Sequence, residues 1–522
     1  MEYRNNLVNL KQNHKMEIDK EYSQRRFKNI MEKIFSTRGI KKINKKKNSS
    51  MDFDNSTFNN QTDKNLIIDS LNFLLNYNNQ KNKPLIINQL KILRKEFCKN
   101  ISEDIVKEIF KIFPNLIGGF NEFLFDFKNS EIQFESIWIL NNLSVYLFNL
   151  KDESKFYNIS NMLINLLKNE NNFTNSGVRN LIFEKVFKFM RNLIFLNDNT
   201  LKFFLENNIL NYLFECLSSS VKSLRIVCLA TLNKILIKIL KMDDETEKKK
   251  YLSFYFSKNS LYNYKFILNR IEGKFNKLNI FDEIYEIYWL INELLKIDNT
   301  IIHFLFFSEQ NNIILEKFNN LLSITLVEKI FQPCLRLINN IIVLCNDQNL
   351  KENLINILFQ KEIIFTNLNN ILINKEFNDD SILKDILLLI FNLSCFKPKE
   401  IKEIFFNNII NLTLNKNFNN DLEMIKILIY IYYRIYVFDN HKFNINDKNI
   451  INIFYSYFQF NQMDFGINLM LLDIFYGCLL SMKKKTNIDI QNIITMVINF
   501  NQNINLDIIQ QYIISQYNEI NN

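Results

Sequence analysis

The sequence predicts an all-α fold made of tandem helical units, and three observations carry that expectation. Of 522 residues only 7 are Gly and 4 are Pro, whereas 47% are hydrophobic. Sheet-rich folds need turn residues often and phosphate-gripping loops need glycine, so both are disfavoured, while the apolar content can bury a large core. From Lys64 onward apolar residues fall at i, i+3, i+4 and i+7, the spacing of amphipathic helices. Similar helices then recur at intervals of about 40–50 residues, which favours a solenoid over a single bundle.

The elements follow in chain order. Residues 1–50 hold 14 basic and 5 acidic side chains, while the remainder holds 50 of each. The net charge of +9 is therefore confined to a basic arm, residues 1–48, on a neutral body. Residues 49–63 lie within the polar run "NSSMDFDNSTFNNQTD" and read as a flexible linker. Residues 64–522 form the solenoid, about ten repeats. It opens with "NLIIDSLNFLLNY" (65–77) and "PLIINQLKILRKEF" (84–97) and closes with "LDIIQQYIISQYNEI" (506–520). Short helices join at Asn-bearing segments: "FPNLIGGFNEFL" (113–124), "LENNILNYLFECL" (205–217), "SEQNNIILEKFNNLL" (308–322) and "FFNNIINLTL" (405–414). Asn tolerates the left-handed backbone that such turns require, and a chain with seven glycines must use it there. The polar insertion "KMDDETEKKK" (241–250) reads as a surface loop.

A longer apolar helix follows each unit and carries an Asn near its end. These are Asn142, Asn192, Asn233, Asn340 and Asn392, separated by 50, 41, 107 and 52 residues. The double interval is filled by "YEIYWLINELLKIDN" (285–299), with Glu293 in the equivalent place. Trp138, one of two tryptophans, lies four residues before Asn142 and so shares its helical face.

Chemistry-bearing motifs are lacking. The seven cysteines, Cys98, Cys216, Cys228, Cys334, Cys345, Cys395 and Cys478, form no CxxC pair and read as buried small hydrophobes in a reducing compartment. His14, His303 and His441 are scattered, so no metal site is expected, and no cofactor motif is present. No apolar run reaches the ~18 residues of a membrane span, and the charged N-terminus lacks a signal-peptide core. A non-enzymatic protein of cytosol or nucleus is the expectation.

"EIQFESIWILNNLS" (131–144) resembles the second armadillo repeat of the importin alpha family, approximately IQFE-x-A-W-A-L-T-N-I. "QPCLRLINNII" (332–342) resembles its sixth repeat, P-A-L-R-x-I-G-N-I, and residues 67–97 fit its first. The resemblance runs in register over nearly the whole chain. It implies a right-handed armadillo superhelix whose third helices line a groove for Lys/Arg-rich nuclear localisation signals. There Trp rings stack on Lys or Arg stems, and Asn amides one turn on pair with peptide backbone.

Position by position, the resemblance places the major site at Trp138, Asn142, Asn192 and Asn233, and the minor site at Trp289, Arg336, Asn340 and Asn392. Lys188, Leu229 and Leu388 stand where the family has tryptophan, Glu293 where it has tyrosine, and Tyr430 and Arg434 form a poor eighth pair. Only Asp198 is placed to serve as the acidic pocket for a signal lysine.

Residues 3–47 resemble the family's importin-beta-binding segment. "QRRFKNIMEKIFSTRGIKK" (24–42) supplies the contacts Arg25, Arg26, Lys28, Arg38, Lys41 and Lys42, and "KKINKKK" (41–47) could fold back and mimic cargo. The implied protein is a nuclear import adaptor that shuttles between cytoplasm and nucleus, with importin beta, basic cargo signals and an export receptor as partners. Against the family's acidic tail, the closing "QYNEINN" leads one to expect a reduced export handle. The alternative is an armadillo scaffold of the same descent that holds a different peptide, which Lys188, Leu229 and Leu388 favour.

Overall fold

A computed structural model describes residues 64–76, 82–98, 101–144, 153–173, 175–270, 281–306, 328–360, 362–373, 380–415 and 421–438, with Leu147, Ile467, Met470, Leu471 and Ile474 besides. The chain divides into Met1–Asn60 and Gln61–Asn522. The first unit lies outside the described residues, and so do the basic arm with its six contact residues and the linker. The two repeats expected after Phe438 lie almost entirely outside them too.

The described residues are helical and contain no strand. One row of long helices organises them: α1 (Lys83–Phe97), α2 (Ser130–Leu143), α3 (Ser176–Leu196), α4 (Lys222–Ile239), α5 (Phe281–Leu295), α6 (Glu328–Leu344), α7 (Asp380–Ser394) and α8 (Leu422–Phe438). Each packs on the next along the whole series. Shorter helices back the row: Glu153–Lys168 on α3, Ile209–Leu217 on α4, Lys258–Arg270 on α5, Gln348–Phe359 on α6 and Pro398–Asn415 on α7 and α8. A single hydrophobic core threads between row and backing from Ile67 to Ile474. This is an all-α solenoid, in which each unit buries its apolar face only by stacking on its neighbours.

Local chemistry sets the element ends. Asn82 caps α1 by accepting from Leu85 N, and Pro84 fits the first turn because no N–H is needed there. Asn208 at φ 58 is the only non-glycine residue with positive φ among those described, and it joins helix Asp198–Glu206 to Ile209–Leu217. The other Asn segments differ. Asn115 sits at φ −104, residues 405–414 run inside helix Pro398–Asn415, and residues 308–322 lie outside the described residues.

The insertion at 241–250 is not a loop throughout. Asp244 accepts from Thr246 N (2.8 Å) and Glu247 N (3.1 Å), and Glu245 and Glu247 face the positive end of helix Glu245–Tyr255. A capping acid and a Lys/Glu-rich turn nucleate helix where charge alone suggested loop. Cys228, Cys334 and Cys345 are buried as expected, but Cys98 and Cys395 are exposed at helix ends, where the apolar pattern has run out.

Candidate functional site: a ladder across the row

Burial follows one pattern along the row. A partly exposed side chain precedes two buried ones, and four residues after it comes a second partly exposed side chain, again followed by two buried ones. The pairs are Trp138 and Asn142 in α2, Lys188 and Asn192 in α3, Trp289 and Glu293 in α5, Arg336 and Asn340 in α6, and Leu388 and Asn392 in α7. Tyr430 and Arg434 follow the same spacing in α8. Because i and i+4 share a helical face, the pairs form two parallel lines across consecutive helices.

In α4 the register differs from the sequence reading by one residue. Leu229 is 0% exposed and Asn233 4%. The partly exposed member is Lys234, followed by buried Ile235 and Leu236, so its partner four residues earlier is Ala230. Asn233 instead turns into the seam with α5, donating from Nδ2 to Glu286 O (2.9 Å) and Glu286 Oε2 (3.0 Å). Asn292 and Asn339, each directly before a ladder position, behave alike: Asn292 donates to Pro333 O (3.0 Å) and Asn339 to Asp385 O (3.1 Å). A buried amide here satisfies itself on the next helix and holds the stack together. The doublet "INN" at 338–340 was the available sequence signal, since two adjacent asparagines cannot both lie on the open line.

The ladder amides bond the opposite way. Asn142 Nδ2 lies 3.2 Å from Cys98 Sγ, Asn192 donates to Ser144 Oγ (2.7 Å), Asn340 to Asn292 Oδ1 (2.8 Å) and Asn392 to Asn339 Oδ1 (3.0 Å). An amide has two donor hydrogens and an acceptor oxygen, so one lateral bond pre-orients the group and leaves capacity for an extended backbone.

The two tryptophans are already stacked by cations of the chain. Arg94 from α1 lies 4.6 Å and Lys185 from α3 lies 4.0 Å from the Trp138 ring centroid, and Phe134 packs edge-on at 5.2 Å. Arg94 also pairs with Glu135 (2.8 Å). Burial pushes the Glu135 carboxyl above its ordinary range, and Arg94 and Lys91 pull it back in part. Glu184, 6% exposed, takes Lys188 at 2.8 Å and Lys185 at 3.7 Å. Lys234 Nζ stands 4.1 Å over Phe195. Asp198 is bonded to Lys238 of α4 rather than set apart as a pocket.

Around Trp289 the charges differ. Glu286 and Glu293, three residues before and four after, share its face. Arg336 lies 5.0 Å from its ring and is held by Asp385 (2.8 Å). The indole Nε1 is buried and makes no hydrogen bond. Among the described residues no group of three His, Cys, Asp or Glu is placed to hold a metal ion, and no helix is long and apolar enough to cross a membrane.

No protein-family model and no curated protein sequence matches the chain. Solved structures do. A structure concerning a phosphorylation switch in the interaction between cadherin and beta-catenin aligns at TM-score 0.51 and 10% identity, over 80% of this chain and 78% of that one. An engineered protein aligns at TM-score 0.48 and 12% identity, over 83% and 99%. At such identities the likeness concerns the fold alone, an all-α solenoid.

Proposed function

We propose that the chain is a non-enzymatic armadillo adaptor that holds an extended peptide of a partner protein along the ladder, and that it serves nuclear import. The ladder carries the reading: asparagine amides at the same place on α2, α3, α6 and α7, each fixed by a lateral bond and each partly exposed. An extended peptide has unpaired N–H and C=O groups at a regular rise, which a spaced series of amides can match. The import role rests on the resemblance to importin alpha. In that role, residues 1–48 bind importin beta through Arg25, Arg26, Lys28, Arg38, Lys41 and Lys42, and the protein shuttles between cytoplasm and nucleus.

A basic cargo signal is best accommodated at α5–α7. There Trp289 has one cation beside it, Arg336, which Asp385 holds; Glu286, bonded by Asn233, and Glu293, paired with Lys296, set carboxylates on its face, and Asn340 and Asn392 offer amides. The test is fluorescence anisotropy of a labelled Lys-rich signal peptide with the full chain. Micromolar binding that falls at least tenfold in Glu286→Gln/Glu293→Gln is expected. Full affinity in that variant rules this seat out, and no binding to the intact chain ends the cargo-receptor reading. A second reading, a scaffold for a different peptide, is favoured by Arg94 and Lys185 lying against Trp138.

A further inference from the structure

The α2–α4 stretch of the ladder has the opposite charge to the α5 stretch. Its six places hold Trp138, Asn142, Lys188, Asn192, Ala230 and Lys234, with no carboxylate among them. Arg94 and Lys185 reach onto Trp138 from both neighbouring helices, and Arg191 is partly exposed beside Asn192. The carboxylates that accompany these cations, Glu135 and Glu184, are buried at 4% and 6% exposure. What this stretch presents to a ligand is therefore amide and cation, with the balancing anions beneath.

We propose that α2–α4 binds an extended acidic peptide segment, its backbone on Asn142 and Asn192 and its carboxylates on Lys185, Lys188 and Lys234. This deepens the adaptor reading and rests on it. A signal lysine would have to enter between Trp138 and cations already stacked there, whereas an Asp or Glu meets charges of opposite sign. The chain's own arm, 14 basic residues against 5 acidic in residues 1–50, has the wrong sign to lie here. A nucleic acid has the right sign too and is an arm of the test below; a peptide backbone, with an N–H and a C=O at every residue, matches both the donor and the acceptor of each amide. Packed helices lie roughly 8–10 Å apart and an extended chain rises ~3.3 Å per residue, so about three peptide residues pass each helix.

The experiment uses the full chain and three fluorescein-labelled dodecapeptides of one design, bearing Glu, Lys or Gln at alternate positions, with a labelled oligouridylate of equal length beside them. At 50 mM salt the Glu peptide is expected to bind at least tenfold more tightly than the Gln peptide and to weaken steeply by 200 mM. Lys188→Glu/Lys234→Glu, checked for helix content by circular dichroism, should cost the Glu peptide at least tenfold and improve the Lys peptide. Lys188→Gln/Lys234→Gln, the milder pair, should cost the Glu peptide at least threefold. An unchanged Glu affinity in these variants places the acid on the arm and overturns the proposal. So does a Lys peptide that outbinds the Glu peptide and is lost in Trp138→Ala, which leaves the adaptor reading standing. An oligouridylate that outbinds the Glu peptide and is lost in the same variants makes the surface a nucleic-acid site. If no peptide of any charge binds, the adaptor reading itself falls.

Discussion

Asn233 and Asn142 look equivalent in the sequence and are opposites in the structure, so Asn→Ala at each should give opposite phenotypes. Asn233→Ala removes a bond to the carbonyl of Glu286 and another to its carboxylate, at 2.9 and 3.0 Å, from a residue 4% exposed. A neutral hydrogen bond contributes about 0.5–1.5 kcal/mol and a charged one about 1.5–3 kcal/mol. Glu286 is partly exposed, so water screens the charged bond and its low end applies. The cost is about 2–3 kcal/mol, local to the α4–α5 seam. Solenoids need not unfold in one step, so amide hydrogen exchange is the better assay. Amides of α4 and α5 should exchange about 30–150-fold faster, with affinity for the acidic peptide nearly unchanged. Asn142 gives up only a contact to a thiol, a weak acceptor, and its Ala variant should cost well under ~1 kcal/mol of stability. Its peptide affinity should instead fall by ~1–3 kcal/mol, about 5–150-fold. Undisturbed exchange in Asn233→Ala, together with a peptide loss equal to that of Asn142→Ala, would refute the one-residue register assigned to α4.

Three further outcomes test the frame. Arg225 Nε and Nη2 grip Glu283 at 2.5 and 2.9 Å, and Nη1 donates to Ser219 O at 2.6 Å, with the side chains 4% and 9% exposed. Arg225→Met should therefore destabilise the α4–α5 region by about 3–5 kcal/mol, while Arg225→Met/Glu283→Leu should recover most of it in the same exchange measurement. At φ 58, Asn208→Val should lower stability in urea by ~1–2 kcal/mol or more, and Asn208→Gly should leave it nearly unchanged. Glu135 has its carboxyl raised above 4.5, chiefly by burial, so its folded value exceeds its unfolded one. Its contribution is then fully present below about pH 4.5 and is lost as pH rises through the folded value, so denaturation series should show wild type losing ground to Glu135→Gln upward from pH 4.5.

The helices were legible because their signal is local: apolar spacing, a capping Asn82 and the scarcity of Gly and Pro act within one element. The ladder was legible where a bulky aromatic marked its place, at Trp138 and Trp289. It failed in α4, where "CLATLNKIL" offers Leu229 and Asn233 at the expected spacing with nothing to say which of two adjacent residues faces the core. Only packing against α3 and α5 decides that, and it buries both. The lateral bonds were invisible for the same reason. Asn292 and Asn339 are ordinary helix residues until a neighbouring carbonyl comes within 3.0 and 3.1 Å. The charge run at 241–250 conceals helix Glu245–Tyr255, whose start is marked locally by its N-cap, Asp244.

The order of charge along the ladder constrains any peptide more than the two tryptophans do. From Trp138 to Lys234 the open lines carry cations and amides, and at α5 they turn to Glu286, Trp289 and Glu293. A Lys-rich peptide long enough to pass all of α2–α7 meets repulsion over α2–α4, and a uniformly acidic one meets it at α5. The best-matched ligand therefore changes sign once along its length, carboxylates over α2–α4 and cations over α5. Rim charges act chiefly on specificity and encounter rate, so this arrangement selects register and direction as much as affinity. A dodecapeptide with Glu in one half and Lys in the other should outbind its sequence-reversed twin on the full chain. Equal affinity of the two orders would mean that the ladder holds peptide backbone without reading charge.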